Sequence, residues 1–576
     1  MTQPFLNHSA AELPLTREST QAIKSALLRW YLLLLVLLSW ASAPAFALQG
    51  NLGAHDPSTI VKDGNKYWVF TTGQGIPSKY STDLVNWTAG PRPVFTAATR
   101  PSWITTKVPT FVNDYWAPEC IFMNGKFYLY YSCSSFGSNV SGIGLATNVT
   151  LDPANPNYNW VDEGEVISSN AGSTFNAIDP AVFKEGNNVW FTYGSFFGGL
   201  SMFPLDPATG KRQGNTSTTV ANGNPEAPFL TKHGNFYYMF INRGACCNGI
   251  NSTYYILVGR STSPTGPFLD QTGRDLNNNG GTVVLNVSGR YVGPGHAGIF
   301  EENGVSYFSH HYYDGDDNGF PKLGLAKLTW DAADWPQVTR DWVTPGRYEI
   351  TRQGSNLVWQ AQGCTGAQGD AVTQSTRTGQ ACQQWDFTPA GDGEYRITNA
   401  VGGLAAGVAG CSAANGAVLQ LEAANNSPCR LFRIDRANDG SLVFASANGN
   451  RVVEVPFASN VSGTQLALFD YNGCSCQRWT LSLGAPLTTL ASRNMANVSI
   501  YPIPATLGNF TLDLTGRKSN EAVTVEVLDM QGRVLYRRVV ANPQAKTAVE
   551  AGLLPGLFLV QVRQGTGLFT QKLTVL

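Results

Sequence analysis

Four residues carry the chemistry this sequence offers: Asp56, Asp179, Glu226 and His296 each stand seven or eight positions ahead of a turn glycine, at Gly64, Gly186, Gly234 and Gly304. Carboxyl groups gathered at one point in unlike surroundings divide the work of a hydrolysis. One activates water as an ionised base, and another lends a proton to the leaving oxygen. A single Asp ahead of proline, as in Asp56-Pro57 or Asp179-Pro180, is ordinarily a turn residue. Recurrence in register with Glu226 sets these apart, and it calls for an architecture that brings equivalent positions to a common axis.

The recurring unit is a short polar motif, an apolar stretch, a glycine turn and an aromatic strand. It reads His55-Asp56-Pro57-Ser58 before Gly64 and Tyr67-Trp68, then Ala117-Pro118-Glu119 before Gly125 and Phe127-Tyr128. Ile178-Asp179-Pro180 follows before Gly186 and Trp190, then Pro225-Glu226-Ala227-Pro228 before Gly234 and Phe236-Tyr237, and Gly295-His296-Ala297 before Gly304 and Tyr307-Phe308. The glycines are 61, 61, 48 and 70 residues apart, with hairpin turns such as Asn124-Gly125 and Asn303-Gly304. Such spacing predicts a radially repeated all-β fold, and five copies predict a five-bladed β-propeller over residues 50–340.

Composition agrees with an all-β chain. Charged residues make up 14%, there are 60 glycines, and the aromatic residues are 14 Trp, 22 Tyr and 29 Phe. A net charge of -1 with no basic stripe excludes nucleic acid as a partner. Lys24, Arg29, the apolar run Trp30 to Trp40 and Ala45-Phe46-Ala47 have the layout of a secretory signal peptide over residues 1–47, the run being shorter than the roughly 20 residues of a membrane span. An uncleaved anchor is the competing reading. Ten cysteines suit an exported chain.

A second repeat occupies residues 345–484. Cys364 to Cys382 and Cys411 to Cys429 both span 18 residues, the two sets are offset by 47, and the same offset leads from Cys429 to Cys476. Around them stand Cys382-Gln383-Gln384-Trp385, Cys429-Arg430-Leu431-Phe432 and Cys476-Gln477-Arg478-Trp479. This region resembles the ricin-B-like β-trefoil lectins, whose repeats carry a Gln-x-Trp signature in the core. The resemblance implies a disulfide in each of the first two lobes; the third has Ala458 where the partner of Cys476 belongs, with Cys474 as the substitute. It also implies sugar binding through an acidic residue, an aromatic platform and an amide. By the repeat offset the acidic position is Gln360, Gly407 and Glu454, and the aromatic one Ser375, Glu422 and Phe469. The third lobe alone keeps such a set, in Glu454, Phe469, Asp470 and Asn472, with a solvated loop as the alternative; Gln383, Trp385 and Trp479 read as core.

Residues 490–576 alternate as a β-sandwich does. Tyr501-Pro502-x-Pro504-Ala505, Asp529-Met530-Gln531-Gly532-Arg533-Val534-Leu535 and Leu554-Pro555-Gly556-Leu557-Phe558-Leu559-Val560 resemble the C-terminal sorting domain of type IX secretion, with Ile503 where the family usually has Asn. A plain fibronectin-like sandwich is the competing reading. The resemblance implies passage through the periplasm, contact with the outer-membrane type IX machinery, and a secreted or cell-surface destination.

In order along the propeller, His55-Asp56-Pro57-Ser58, Trp116-Ala117-Pro118-Glu119, Asn176-Ala177-Ile178-Asp179-Pro180-Ala181, Glu226-Ala227-Pro228-Phe229 and Gly293-Pro294-Gly295-His296-Ala297-Gly298 resemble the motifs of glycoside hydrolase family 43, most nearly its endo-1,5-α-L-arabinanases. Cys246-Cys247 before Asn251-Ser252-Thr253-Tyr254, Thr265-Gly266-Pro267-Phe268 and His311-Tyr312-Tyr313-Asp314 match as well. The resemblance implies Asp56 as general base, Glu226 as general acid, and Asp179 as a third acid that orients Glu226 and raises its pKa. It implies inversion at the anomeric carbon, and a calcium ion, ligated largely by water, facing His296. A neutral histidine hydrogen-bonded in the channel is the alternative there. Trp116 is expected either to stack on a sugar ring or to pack within its blade. Asn176, Ser195 and His311 are weaker candidates for substrate contact. Glu119 is read as structural, and Cys246-Cys247 either shape the cleft or are core thiols. The expected activity is endo-cleavage of α-1,5-linked arabinan, a plant cell-wall polysaccharide. An exo-acting arabinofuranosidase or xylosidase of the same family is the second reading. A non-catalytic sugar-binding surface protein is the third, and it predicts loss of a carboxylate that is here retained.

Overall fold

The computed structural model describes residues 48–483 apart from 450, and from 498 onward all but 507, 516–521, 529–533, 542–544, 554 and 565–566. The signal-peptide reading over 1–47 and the Asp529 to Arg533 part of the sorting motif lie outside the described residues. The described residues up to Leu483 form one compact unit and those from Val498 onward another.

Within the first unit, five sheets of four or five strands, antiparallel but for one pair in the first, follow one another in chain order, as a propeller's blades do. Their innermost strands include Val61–Asp63, Asp114–Met123, Ala181–Glu185, Glu226–His233 and Tyr291–Glu302. The predicted hairpins form: Asn124 and Gly125 have φ of 52° and 76°, and Asn303 and Gly304 of 51° and 74°, the backbone that Asn-Gly adopts most readily. Alternating strand residues from facing blades fill the spaces between sheets, as where Phe240 meets Phe308 and Tyr130 meets Phe191. The ring closes through the segment after Leu48. Gln49–Gly50 pairs in parallel with Asn86–Ala89 of the first blade. Ala54 N–H then donates to Pro321 O at 3.0 Å, and Leu323 N–H to Leu52 O at 2.8 Å, in the fifth blade.

The threefold repeat folds as predicted into a β-trefoil whose first strand, Gly346–Arg352, pairs with its last, Trp479–Leu483. Trp359, Trp385 and Trp479 are fully buried and meet edge to face, and Gln383 is equally buried, so the Gln-x-Trp residues are core. Cys364–Cys382 and Cys411–Cys429 are bonded, and the third lobe bonds Cys474 to Cys476.

The trefoil is docked on the propeller rather than tethered to it. Asp83, in a turn of the first blade, accepts through Oδ1 from the N–H groups of Val85 and Asn86 at 2.9 and 2.7 Å. Its Oδ2 accepts from Arg478 Nη2 and from the Tyr471 hydroxyl, both at 2.7 Å. Val85 packs with Ala437, Val443, Ala445 and Val452 of the trefoil. Asn438 Nδ2 donates to Tyr67 Oη and Thr82 O at 3.1 and 3.2 Å.

The second unit is a seven-strand sheet, with Val523–Leu528 between Val534–Val540 and Gly556–Gln564, and with Ser499–Thr506 between Asn509–Asp513 and Gly567–Val575. Phe510, Leu512, Val525, Val527, Val560 and Leu573 make its core.

Candidate active site

In or just before each inner strand one residue takes up a left-handed backbone: Asp56 (φ 42°), Ala117 (43°), Asp179 (55°), Ala227 (48°) and His296 (61°). Bulges between Trp116 and Glu119, Glu226 and Phe229, and Gly295 and Gly298 accompany it, and a bulge re-aims the side chains beside it. The equivalent positions are therefore Asp56, Ala117, Asp179, Ala227 and His296, while Glu226 stands one residue ahead of its blade's position. A non-glycine residue in this region is strained and persists where its surroundings impose it.

The imposing contacts repeat around the axis. The N–H of each of these five residues donates to a side chain of the preceding blade: Asp56 to His311 Nδ1 (3.2 Å), Ala117 to Thr72 Oγ1 (2.9 Å), Asp179 to Ser132 Oγ (3.1 Å), Ala227 to Asp179 Oδ2 (3.2 Å) and His296 to Asn242 Oδ1 (3.0 Å). The third-to-fourth blade junction departs from the others. There Asp179 is itself the acceptor, and Ser195, from the segment after the second strand of the third blade, donates instead to Glu226 Oε1 at 2.7 Å. One ring of hydrogen bonds thus fixes the backbone at all three acids and singles out Glu226.

The three carboxyls sit in different environments. Asp56 Oδ2 receives His55 Nδ1 at 2.8 Å and the Thr72 hydroxyl at 2.9 Å, while Oδ1 lies 3.5 Å from His311 Nδ1 and 3.7 Å from His296 Nδ1. Burial alone raises the Asp56 carboxyl, but the charge and hydrogen bond of His55, with His296 and His311, outweigh it and hold it well below the ordinary range. Asp179 is pushed well above that range by burial first, then by the charges of Glu226 and Asp56. Glu226 is also raised, by burial and the Asp56 charge, against the Ser195 and Tyr254 hydrogen bonds that favour its ionised form. The sequence reading placed a fixed negative charge on Asp179 to raise Glu226. In the structure desolvation is the largest cause at both, and it raises Asp179 as well as Glu226.

Asp56, Asp179 and Glu226 line a cleft of about 450 Å³ with Trp116, Phe136, Tyr254, Tyr313, Cys246 and Cys247. Trp116 is held by its indole N–H donating to Asp114 Oδ2 at 3.1 Å and offers a ring to the cleft. The other sequence candidates lie behind that surface. Asn176 is buried, its Oδ1 accepting from Ser141 Oγ at 2.7 Å, and it does not line the cleft. Ser195 is spent on Glu226. His311 is wholly buried and stacks on His55 at 4.3 Å, so it supports Asp56 instead of facing solvent. Glu119 is structural: buried, raised by desolvation to about 7, it accepts from Thr59 N–H and Oγ1 at 2.9 Å and staples the first two blades. Cys246 and Cys247 are bonded to each other, and the free cysteines Cys120 and Cys133 are buried. His55, Thr72, Asn242, Tyr254 and Tyr313 were not singled out from the sequence, although His55 adjoins Asp56 and Tyr254 and Tyr313 fall inside the quoted motifs.

For a cation at His296 the protein offers one imidazole and the Asp56 Oδ1 oxygen 3.7 Å from it. Calcium takes about six to eight oxygens, so these residues fit only an ion whose remaining ligands are water. In the trefoil's third lobe, Gln477 Nε2 donates to Glu454 Oε2 and Asp470 O at 3.3 and 2.9 Å, and Asn472 N–H donates back to Gln477 Oε1 at 2.8 Å. Phe469 is partly exposed beside them, and Phe457, at the position of Gly363 and Gly410, is fully exposed. The four predicted residues are thus gathered at one place, but Glu454 is buried and engaged by Gln477.

Residues 50–336 match the family model of the glycosyl hydrolases family 43, residues 330–422 and 381–469 that of the ricin-type β-trefoil lectin domain-like proteins, and residues 499–576 that of a secretion system C-terminal sorting domain. The chain is 38% identical over 323 residues to the extracellular exo-α-(1→5)-L-arabinofuranosidase ArbA of Cellvibrio japonicus, a match covering 52% of this chain and 92% of that protein. It is 38% identical over 312 residues to the extracellular endo-α-(1→5)-L-arabinanase 1 of Bacillus subtilis, covering 52% and 93%. A solved GH43 endo-arabinanase from Bacillus licheniformis shares 40% identity, covers 51% of this chain and 99% of its own, and superposes with a TM-score of 0.47. With its sorting domain and extracellular relatives, the protein is secreted or displayed at the cell surface.

Proposed function

Because the chain belongs to the glycosyl hydrolases family 43, we propose that this glycoside hydrolase cleaves α-1,5-linked arabinan internally, by inversion, with Asp56 as base and Glu226 as acid. The observation that carries the reading is the contrast between the two carboxyls: Asp56, held ionised among three histidines, and Glu226, desolvated and raised, in one cleft. Asp56 takes a proton from water at the anomeric carbon, Glu226 gives one to the departing oxygen, and Asp179 holds the Glu226 segment through the Ala227 N–H. Inversion at an α-linkage releases the β-anomer first. Proton NMR of the first products from linear arabinan tests this, and the α-anomer appearing first would sink it. Exo action is the second reading, since the relatives named for exo and for endo cleavage are equally similar.

Ser195→Ala removes a hydrogen bond to the ionised form of Glu226, so the acid keeps its proton to higher pH. The alkaline limb of kcat/KM moves up by about one pH unit; an unchanged or lowered limb speaks against Glu226 as the acid.

His296 would hold a largely hydrated calcium ion that lends positive charge beneath the acids. Chelation then lowers the melting temperature and added calcium restores it, whereas a melt indifferent to both removes the ion from the account. The sorting domain would hand the chain to an outer-membrane type IX machinery, and the trefoil's third lobe would hold polysaccharide near its enzyme.

A further inference from the structure

The cleft wall contains a disulfide between adjacent residues, Cys246–Cys247, for which the reaction as read above has no use. Cys247 has a left-handed backbone, φ 65°, which a side-chain-bearing residue rarely adopts. A bond to its immediate neighbour ties it into that turn. There its backbone N–H donates to Tyr313 Oη at 2.6 Å. Tyr313 Oη lies 2.7 Å from His55 Nε2, and His55 Nδ1 lies 2.8 Å from Asp56 Oδ2.

The direction at His55 is set by the carboxylate at the far end of this chain. A backbone N–H only donates, so the tyrosine oxygen accepts there, and with a second lone pair and its own hydrogen it can meet Nε2 in either sense. The Asp56 carboxylate only accepts, so Nδ1, 2.8 Å from Oδ2, carries a hydrogen whichever way the Tyr313 contact runs. Stacking on His311 fixes the plane of the His55 ring, and the Tyr313 contact at Nε2 fixes its rotation within that plane. We propose that the Cys246–Cys247 turn is a positioning element for the base: through Tyr313 it sets the orientation of His55, which with Thr72 engages Asp56 Oδ2 and leaves Oδ1 for the reacting water. Tyr313 and His55 are likewise positioning residues, and a third group orienting a base is what a nucleophile–base pair ordinarily requires.

The inference rests on Asp56 being the base, and the test separates the two claims. In the full chain acting on linear arabinan, Tyr313→Phe, which keeps the ring, lowers kcat about tenfold with KM little changed. Cys246→Ser/Cys247→Ser lowers kcat by a similar or smaller factor. Combining the two costs no more than the worse of them, because each cuts the same chain. Either single cysteine variant breaks the same bond and replaces the pair if the pair does not fold, and thermal melts check each. Losses that multiply, or a change confined to KM, would overturn the inference: the first makes the groups independent, the second makes the disulfide a wall for substrate. Asp56→Ala is run alongside. If it stays active the base assignment fails; if it is inactive while the tyrosine and cysteine variants keep full kcat, only the positioning role fails.

Discussion

Glu226→Ala is expected to lower kcat on linear arabinan by about a thousandfold while sparing an arabinan oligosaccharide that carries a dinitrophenyl leaving group, whose oxygen departs without a proton. Asp56→Ala is expected to abolish both, since water must be activated whatever the leaving group. The asymmetry follows from the two environments. Glu226 is half-buried, raised and bonded to the Ser195 and Tyr254 hydroxyls, so what it contributes is a proton. Asp56 is ringed by imidazoles and held low, so what it contributes is an open lone pair. Steady-state rates on the two substrates check this, and equal losses for Glu226→Ala on both would show that it does not act as the acid. Asp179→Asn should behave as neither: it keeps an acceptor for the Ala227 N–H and loses the coupling to Glu226.

The second large effect concerns stability. Arg478 and Asp83 are both largely buried at the junction of propeller and trefoil, and their 2.7 Å contact spans 395 residues of sequence. Removing one member of a buried pair strands the other, which costs about 3–5 kcal/mol. Arg478→Ala should therefore destabilise the whole first unit by that amount in denaturant melts, and Asp83→Asn combined with Arg478→Met should recover much of it because no charge is left unpaired. A loss below about 1 kcal/mol for Arg478→Ala would class the contact with surface pairs and the docking as loose. The same contacts give the trefoil a structural use independent of any sugar site.

The carboxylates were legible because a propeller repeats its motif, and a repeat fixes position without any knowledge of contacts. Glu226 was grouped with the others although it stands one residue ahead of Ala227, because a bulge changes the count and leaves no mark in the glycine spacing. The ring of N–H bonds to the preceding blade was illegible for a different reason. Its acceptors are a threonine, a serine, an aspartate, an asparagine and a histidine, so they share geometry and not residue type. Asn176 and Ser195 lie within or near motif segments but face Ser141 and Glu226, and only the backbone path tells a cleft-lining residue from one behind it. In the trefoil the cysteine and tryptophan spacing gave the fold directly, whereas Arg478, the residue between Gln477 and Trp479, gave no sign that it docks on a different domain.

Digestion of linear debranched arabinan by the full chain, with products resolved by length over time, tests the central claim most directly. The account predicts a spread of arabino-oligosaccharides from the earliest points, absent with Glu226→Ala. Arabinose alone from the outset would contradict internal cleavage, and intact arabinan with wild-type protein would contradict the substrate itself.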